Sequence, residues 1–387
     1  MSTQPALTAS KTAPLSPQFA SLLFANVCED DLASYSAEEL EKAACIARAA
    51  LFTFFEKEPP FYCCTNRARR NGKEIETLTI VSENKPFLLG SVLNVFNEQM
   101  VNLYFVAHPV IDIVYNLQQN CLHFTPASPQ AGEVKKRISV MQFHFSTLAQ
   151  ETLKKIEKAV DLALNHLNFA VRDWQLMVQN LKDITKNYED CAPQQCKKEA
   201  GEVVQFLDWL TQDHFTFLGL QHYCLKDGVN NAGKLKAGFG ILSPECLHLQ
   251  RNHAFEVLPE ELISLLGGEE LLVVTKANAR SYVHRPVWLD YIGLKLFDEK
   301  GVQNGEIWIL GLFTSTAYMS SVFDIPYLQR KAKNVIKSLG FDDSDHSGKA
   351  LRNILETYPR DELFRTDVNT LIELSLIHIS EPTRPER

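Results

Sequence analysis

Apolar positions between residues 18 and 57 recur at the spacing of an α-helix. Ser36 and Glu39 stand three residues apart ahead of the apolar stripe, the arrangement of a capping box in which each side chain binds the other residue's backbone. Glu58-Pro59-Pro60 follows the stripe, and proline cannot continue a helix. The pattern predicts an N-terminal helical segment over residues 18–73. Its buried face is formed by Leu40, Ala43, Ala47, Leu51 and Phe54.

Residues 74–172 alternate between the strand period of two and the helix period of 3.6. Helical stripes begin at Leu89 and at Leu153. With the strands between and around them, they give the order βαββαβ, which is a ferredoxin-like plan. Predicted strands cover residues 76–81, 101–115, 138–145 and, briefly, 169–171.

The second half of the chain predicts an α+β organisation as well. Residues 173–212 form a helical connector, which Cys191-Ala192-Pro193 divides into two helices. Residues 213–323 are rich in strands, with one helix expected at 259–266. Few helices among many strands favour an antiparallel sheet with the outline of a PAS-like sensor domain. Its predicted strands cover residues 215–225, 239–242, 271–275, 288–297 and 306–314.

A helical segment is predicted over residues 324–373. Asp324 is the expected N-cap of its first helix, Pro326 lies in the first turn, and Gly340 is the expected stop. A second helix is expected over residues 348–357.

The two ends of the chain differ from the rest. Residues 1–17 are rich in Ser, Thr, Ala and Pro and are expected to form a disordered lead. Residues 374–387 fit none of the preceding patterns and look like the translation of a sequencing adapter. We therefore expect an artefactual tail joined to a truncated chain.

Composition narrows the classes of function. The net charge of −8 argues against a broad nucleic-acid surface, which requires clustered Lys and Arg. The one compact basic cluster, Arg67 to Arg70, is interpreted as a solvated turn. No apolar run approaches the roughly 20 residues that cross a bilayer. Nine cysteines at irregular spacing form neither a disulfide framework nor a metal-binding pattern, which favours reduced thiols in the cytoplasm.

The chain carries no complete catalytic signature. It has no G-x-G-x-x-G after a strand, no P-loop, no H-E-x-x-H and no G-x-S-x-G. His144 faces away from Phe143 and Phe145 on a predicted strand, so we interpret it as a packing or surface histidine rather than a general base. We predict no catalytic residue, no cofactor-binding residue and no metal ligand in this chain.

The strand-turn-helix at residues 82–90 is the best candidate for a small ligand. In a βαββαβ domain this turn exposes backbone N–H groups at a helix N-terminus, where a carboxylate binds well. Pro86 is expected at the first helical position. The alternative is a turn that only connects strand to helix. The candidate effector-binding residues are Asn84, Pro86, Phe87, Leu88 and Gly90.

A polar segment between two predicted strands, residues 276–286, is the second candidate. Its basic side chains could bind an anion, whereas the alternatives are a structural loop or a contact between subunits. The residues concerned are Lys276, Arg280, His284 and Arg285.

Several long stretches resemble one family, the large bacterial NAD-specific glutamate dehydrogenases, in their N-terminal region. The resemblance covers roughly residues 18–373 and is weaker at 86–88 and 108–110. It rests on Thr275–Ser281, Val283–Pro286, Asp290–Gly293, Leu310–Ser315, Gly348–Leu351 and Ile354–Phe364.

This resemblance implies ACT-like and PAS-like regulatory modules, with the ACT-like module over residues 74–172. It also implies an intact enzyme, several times longer, that oxidises L-glutamate to 2-oxoglutarate and ammonium and reduces NAD. The expected partners are the catalytic remainder of the same chain, further copies of it and an amino-acid effector. A stand-alone amino-acid-binding regulator and a ligand-free scaffold are the alternatives.

Overall fold

The computed structural model groups the chain into two compact units, residues 1–168 with 282–286 and residues 169–281 with 287–387. The predicted helix at 259–266 lies outside the described residues. The structure describes residues 7–9, 17–116, 121–124, 133–224, 234–252, 270–341 and 346–380.

Three helices open the first unit: α1 (Pro17–Phe24), α2 (Glu29–Leu32) and α3 (Ala37–Lys57). The predicted capping box is confirmed, because Glu39 N donates to Ser36 Oγ at 3.2 Å and Ser36 N donates to Glu39 Oε2 at 2.8 Å. The helix ends where the prolines require it. Glu58 takes a left-handed conformation and donates its N–H to Phe54 O.

An antiparallel sheet and two further helices complete the first unit. The strand order is β1-β6-β5-β7-β3-β2, and β4 also pairs with β7. The elements are β1 (Leu7–Ala9), β2 (Phe61–Arg70), β3 (Lys73–Glu83), α4 (Leu88–Glu98), β4 (Leu103–Ala107), β5 (Val110–Asn116), β6 (Cys121–Phe124), β7 (Glu133–Ser146) and α5 (Gln150–Cys191).

The predicted βαββαβ plan is wrong at its last strand. Residues 169–171 lie inside the 42-residue helix α5, because the apolar helical stripe continues through them to Met177 and Leu181. The edge position beside β3 is instead filled by β2, which pairs with β3 through a tight turn at Asn71–Gly72. Strand β2 was missed within the segment predicted as helical.

Two smaller predictions about this unit are also corrected. Arg67 to Arg70 end strand β2 and do not form a solvated turn. Arg67 pairs with Glu74 at 3.7 Å, and the Arg70 guanidinium lies 4.4 Å from the centre of the Tyr104 ring. Leu7–Ala9 of the expected disordered lead form a strand, because their backbone groups pair with those of β6.

Helices cover both faces of this sheet. Helix α3 packs on β2, β3 and β7, where Leu51 joins Val81 and Val140 in one apolar core. On the other face, the Phe96 ring of α4 lies 5.1 Å from Phe143 and 5.3 Å from Phe145. The predicted assignment of Phe143 and Phe145 to one face is thereby confirmed.

His144 is a packing histidine at the centre of a buried hydrogen-bond network. Its ring stacks on Phe105 at 4.1 Å and lies 3.2 Å from Tyr35 Oη and 3.0 Å from Gln142 Oε1. Gln142 in turn donates to Ala43 O at 2.9 Å, so the network joins the sheet to α3. Burial lowers the pKa of His144 to about 3, which keeps the ring neutral at neutral pH.

We expect acid to destabilise the first unit through this residue. The unfolded chain protonates His144 near pH 6.5 and the folded chain only near pH 3, so stability is full above pH 6.5 and falls as the pH drops below it. Between pH 7 and pH 5 the loss is about 2 kcal/mol. Urea unfolding, monitored by circular dichroism at pH 7 and at pH 5, gives the free energy of unfolding at each pH. Between these pH values His144→Gln should lose about 2 kcal/mol less of that free energy than wild type does. The matched control is His248→Gln, at an exposed histidine; an equal acid loss in wild type and His144→Gln would contradict the assignment.

The second unit contains a five-stranded antiparallel sheet in the order β10-β11-β12-β8-β9. Four of its strands lie close to their predicted ranges; β9 begins earlier and ends at Gly240, whose positive φ turns the chain. The strands are β8 (Phe215–Cys224), β9 (Lys234–Gly240), β10 (Leu272–Arg280), β11 (Trp288–Phe297) and β12 (Gln303–Phe313).

Helices bury one face of this sheet. The connector helices meet near Cys191-Ala192-Pro193, as predicted, and Phe206 and Leu207 enter a core that also contains Ile292 and Ile309. Helix α5 continues into this unit. The remaining helices are α6 (Lys197–Trp209), α7 (Pro244–Asn252), α8 (Ser315–Met319), α9 (Pro326–Leu339), α10 (His346–Thr357), α11 (Arg360–Arg365) and α12 (Val368–Ser380).

Helix α9 ends at Leu339, and the predicted stop, Gly340, is its C-cap in a left-handed conformation. Its predicted N-cap is wrong by one residue, since Ile325 occupies that position and Pro326 begins the helix without a side-chain cap. Residues 374–380 of the expected foreign tail continue helix α12, and the remainder of that segment lies outside the described residues. Within the described part of the chain, every helix is too short or too polar to span a bilayer.

Candidate regulatory site

The first turn of helix α4 holds the candidate effector-binding residues. Phe87 is the N-cap in a left-handed conformation (φ 64°), so the helix begins at Leu88 and Pro86 lies before it, not at the predicted first helical position. Asn84 donates its backbone N–H to Arg137 O at 2.8 Å. The N-cap contributes no side-chain hydrogen bond. As in any helix, the first N–H groups of α4 have no acceptor within the helix.

The short segment Tyr282–Pro286 belongs to the same unit and lies against this turn. The His284 ring is 4.5 Å from the Phe87 ring, and His284 O is 3.7 Å from the position that a Cβ on Gly90 would take. His284 N donates to Ser91 Oγ at 3.1 Å, and Asn94 Nδ2 donates to His284 O at 2.9 Å. His284 itself adopts a positive φ of 69°. The helix surface beside the candidate turn is thus occupied by a segment of the same chain.

Sequence reasoning missed Ser91 and Asn94, which hold this segment. Ser91 is fully buried and also donates its hydroxyl to Phe87 O at 2.8 Å. A small polar residue inside the apolar stripe of an amphipathic helix was the available signal, since buried polar groups need partners. The partner lies about 190 residues away in sequence, which no local pattern reveals.

The four residues of the second candidate fall in different units. Lys276 and Arg280 lie on strand β10 in the second unit, whereas His284 and Arg285 belong to the first. The Arg280 guanidinium lies 5.3 Å from the centre of the Trp288 ring. Arg285 N donates to Val283 O at 2.9 Å within its short segment.

Lys276 is held between two carboxylates that sequence reasoning did not single out. Its Nζ lies 2.6 Å from Asp290 Oδ1 and 3.1 Å from Asp361 Oδ2. Asp290 also accepts Phe313 N at 3.1 Å, and Asp361 accepts the Tyr318 hydroxyl at 2.8 Å. Burial raises the pKa of Asp290, and the Lys276 ammonium opposes that rise. Chemically, this arrangement joins strands β10 and β11 to helix α11.

Two domains of glutamate dehydrogenases match the chain. The ACT1 domain matches residues 19–160, which contain most of the first sheet. Helical motif 1 matches residues 325–380, which contain α9 to α12.

Curated relatives agree with both matches. The NAD-specific glutamate dehydrogenase of Pseudomonas aeruginosa is 27% identical over 96% of this chain. The Halomonas elongata enzyme is 28% identical over 92% of it, and the Mycobacterium tuberculosis enzyme is 22% identical over 77%.

The chain is similar to NAD-specific glutamate dehydrogenases over most of its length. It spans under a quarter of the length of these relatives, 23% for Pseudomonas and 22% for Halomonas.

The described residues do not fit the cofactor that gives the family its name. Dinucleotide folds place the pyrophosphate where a parallel strand turns into a helix through a glycine-rich loop. Both sheets described here are antiparallel throughout, and the β3–α4 turn reads Asn84-Lys85-Pro86-Phe87. Among the described residues there is also no cluster of three or more His, Cys, Asp or Glu side chains that could hold a metal ion.

Proposed function

We propose that this chain is the regulatory region of an NAD-specific glutamate dehydrogenase. The intact enzyme would convert L-glutamate, NAD and water to 2-oxoglutarate, ammonium and NADH in the cytoplasm, as a homo-oligomer. The observation that carries the proposal is the match of the ACT1 domain to residues 19–160 beside relatives of the same named activity. The 387-residue chain contributes neither nicotinamide-binding nor catalytic residues, and acts on the rest of the enzyme.

The purified 387-residue chain should produce no NADH from glutamate and NAD. The reason is geometric, because hydride transfer needs nicotinamide held beside the substrate and the described sheets offer no dinucleotide turn. Absorbance at the NADH band would be followed in parallel with an intact bacterial enzyme of this family as the positive control. Glutamate-dependent turnover that survives repurification would contradict the proposal.

We further propose that the first turn of α4 binds the carboxylate of an amino-acid effector. Three features support this site: the uncapped helix N-terminus, Gly90 close to the backbone of the neighbouring segment, and two polar side chains that hold His284. Binding would compete with the segment Tyr282–Pro286 for the same helix surface. In the same proposal, residues 213–323 form a PAS-like sensor module. Lys276 and Arg280 have structural roles within it and bind no ligand.

Calorimetric titration with glutamate, aspartate and arginine should show that one of them binds. Asn94→Ala removes one hydrogen bond that holds His284, so the effector displaces the segment more easily. Affinity should rise about fivefold, the equivalent of the roughly 1 kcal/mol of one hydrogen bond. Asn97→Ala, at an exposed asparagine on the same helix, is the matched control and should change nothing. If none of the three amino acids binds wild type or Asn94→Ala, the effector site is wrong.

A further inference from the structure

Lys85 lines a small pocket of the first unit. It stands two residues after the end of strand β3 and two residues before Phe87, the N-cap of α4. The pocket has a volume of about 290 Å³, close to the lower end of the range of roughly 300–1,000 Å³ for small-molecule sites. Phe54, Pro59 and Lys136 also line it. A reagent of a few heavy atoms therefore has room beside Lys85.

The Lys85 amine has one hydrogen-bond partner among the described residues. It donates to the side-chain oxygen of Asn168, although a lysine ammonium carries three N–H groups. The Glu83 carboxylate of the same pocket is paired with Lys136 at 2.8 Å. Burial lowers the pKa of Lys85, and the charge of Glu83 opposes this change. Burial therefore enlarges the neutral fraction of the amine, and the neutral amine is the nucleophilic form.

Lys331 is the second lysine of the described residues whose pKa is lowered by burial, here to about 8. Its Nζ donates to three backbone carbonyls: Leu363 O at 3.2 Å, Phe364 O at 2.7 Å and Thr366 O at 3.0 Å. All three N–H groups are therefore bound to oxygens that cannot accept the lone pair of a neutral amine. Attack by Lys331 would break one of these hydrogen bonds, whereas Lys85 has N–H groups to spare. Burial alone therefore does not identify the more reactive lysine.

We propose that Lys85 is a modification site, acylated by small acyl phosphates that enter this pocket. Lysine amines are common targets of acylation, and a partly buried one is activated as a nucleophile. The amine nitrogen attacks the carbonyl carbon, the bond from that carbon to the phosphate oxygen breaks, and phosphate leaves with the electron pair. The nitrogen gives up one proton, which the released phosphate takes up through water. The products are an Nζ-acyl lysine and inorganic phosphate.

Acylation replaces the Lys85 ammonium by a neutral amide beside the first turn of α4. The regulatory consequence rests on the proposed effector site, since loss of a positive charge there should weaken the binding of a carboxylate. The acylation itself needs no effector. Its failure and the failure of the effector site are therefore distinguished by separate measurements.

Incubation of the full 387-residue chain with acetyl phosphate at pH 8, followed by peptide mass spectrometry, gives the acetylation rate of each lysine. Lys85 should react at least about threefold faster than Lys57, an exposed lysine at the end of α3 outside the pocket lining, and faster than Lys331. Asn168→Ala should raise the rate at Lys85, because it removes the acceptor that holds the ammonium. Asn187→Ala, at an exposed asparagine of the same helix, is the matched control and should leave the rate unchanged.

Circular dichroism of both variants would confirm that the fold is retained. The proposal is overturned if Lys85 of wild type reacts no faster than Lys57, since the pocket would then confer no reactivity. It is also overturned if Lys331 reacts fastest, because burial alone would then decide. An unchanged rate in Asn168→Ala would overturn the role assigned to that hydrogen bond.

Discussion

Replacing Lys276 with methionine should lower the free energy of unfolding of the second unit by about 3 to 5 kcal/mol. That is the usual cost of leaving one partner of a buried ion pair uncompensated. The Asp290 side chain is only 5% exposed and loses its closest charge partner, while Asp361 beside it adds a second negative charge. The chain's four tryptophans, Trp174, Trp209, Trp288 and Trp308, all lie in this unit, so denaturant unfolding followed by tryptophan fluorescence measures it selectively.

Two comparisons separate charge from packing at this position. The double variant Lys276→Met/Asp290→Asn should regain most of the loss, because the amide oxygen that replaces the carboxylate would still accept the Phe313 N–H without a buried charge. The deficit of Lys276→Met should also shrink as the pH falls, since an uncompensated carboxyl has a raised folded-state pKa and is stabilised by taking up a proton. If Lys276→Met lowers the free energy of unfolding by less than about 1 kcal/mol, the Lys276–Asp290 pair contributes no more than a surface salt bridge does.

Replacing Phe364 with alanine should cost about 3 to 5 kcal/mol, the range for deleting a buried phenylalanine side chain. Its ring stacks on Phe313 with centroids 4.6 Å apart and an interplanar angle of 5°, and contacts Tyr327 and Phe206 at about 6 Å. The family's helical motif is therefore anchored to strand β12 through this ring. Guanidinium unfolding by tryptophan fluorescence would measure the loss.

Met319→Ala is the control for Phe364→Ala, because Met319 is 86% exposed and its truncation should change stability by less than about 0.5 kcal/mol. Similar stability losses in the two variants would mean that the helical motif does not share the core of the sheet.

Periodicity predicted the elements whose apolar faces are buried on a core. The stripe of α3 follows from burial on one face. Strand β11 was predicted although it is buried in an unbroken run from Leu289 to Lys295, and Phe143 and His144 lie on opposite faces that are both buried. Strand β2 was missed because its polar end, Thr65 to Arg70, shows no apolar alternation. The usable signal was Asn71–Gly72, since Asn-Gly is the strongest short signal for a hairpin turn.

The closing strand at 169–171 was predicted from a short apolar run that a helix equally accommodates. Runs of this length are ambiguous between strand and helix. Here the apolar helical pattern of α5 continues on both sides of the run, so the run is helical. The candidate turn at Phe87 and Gly90 was located from sequence alone, but its neighbour His284 was not. Contacts across such a separation depend on the folded chain and leave no local pattern.

Strand β2 is an edge of its sheet, and its polar end determines what can approach it. Arg67 and Arg69 alternate along the exposed stretch of that edge. A second molecule aligned there in register would bring like guanidinium groups together in water, which is a recognised defence of open strands against aggregation. The first unit should therefore remain dispersed at high concentration, and any assembly of copies should proceed through other surfaces.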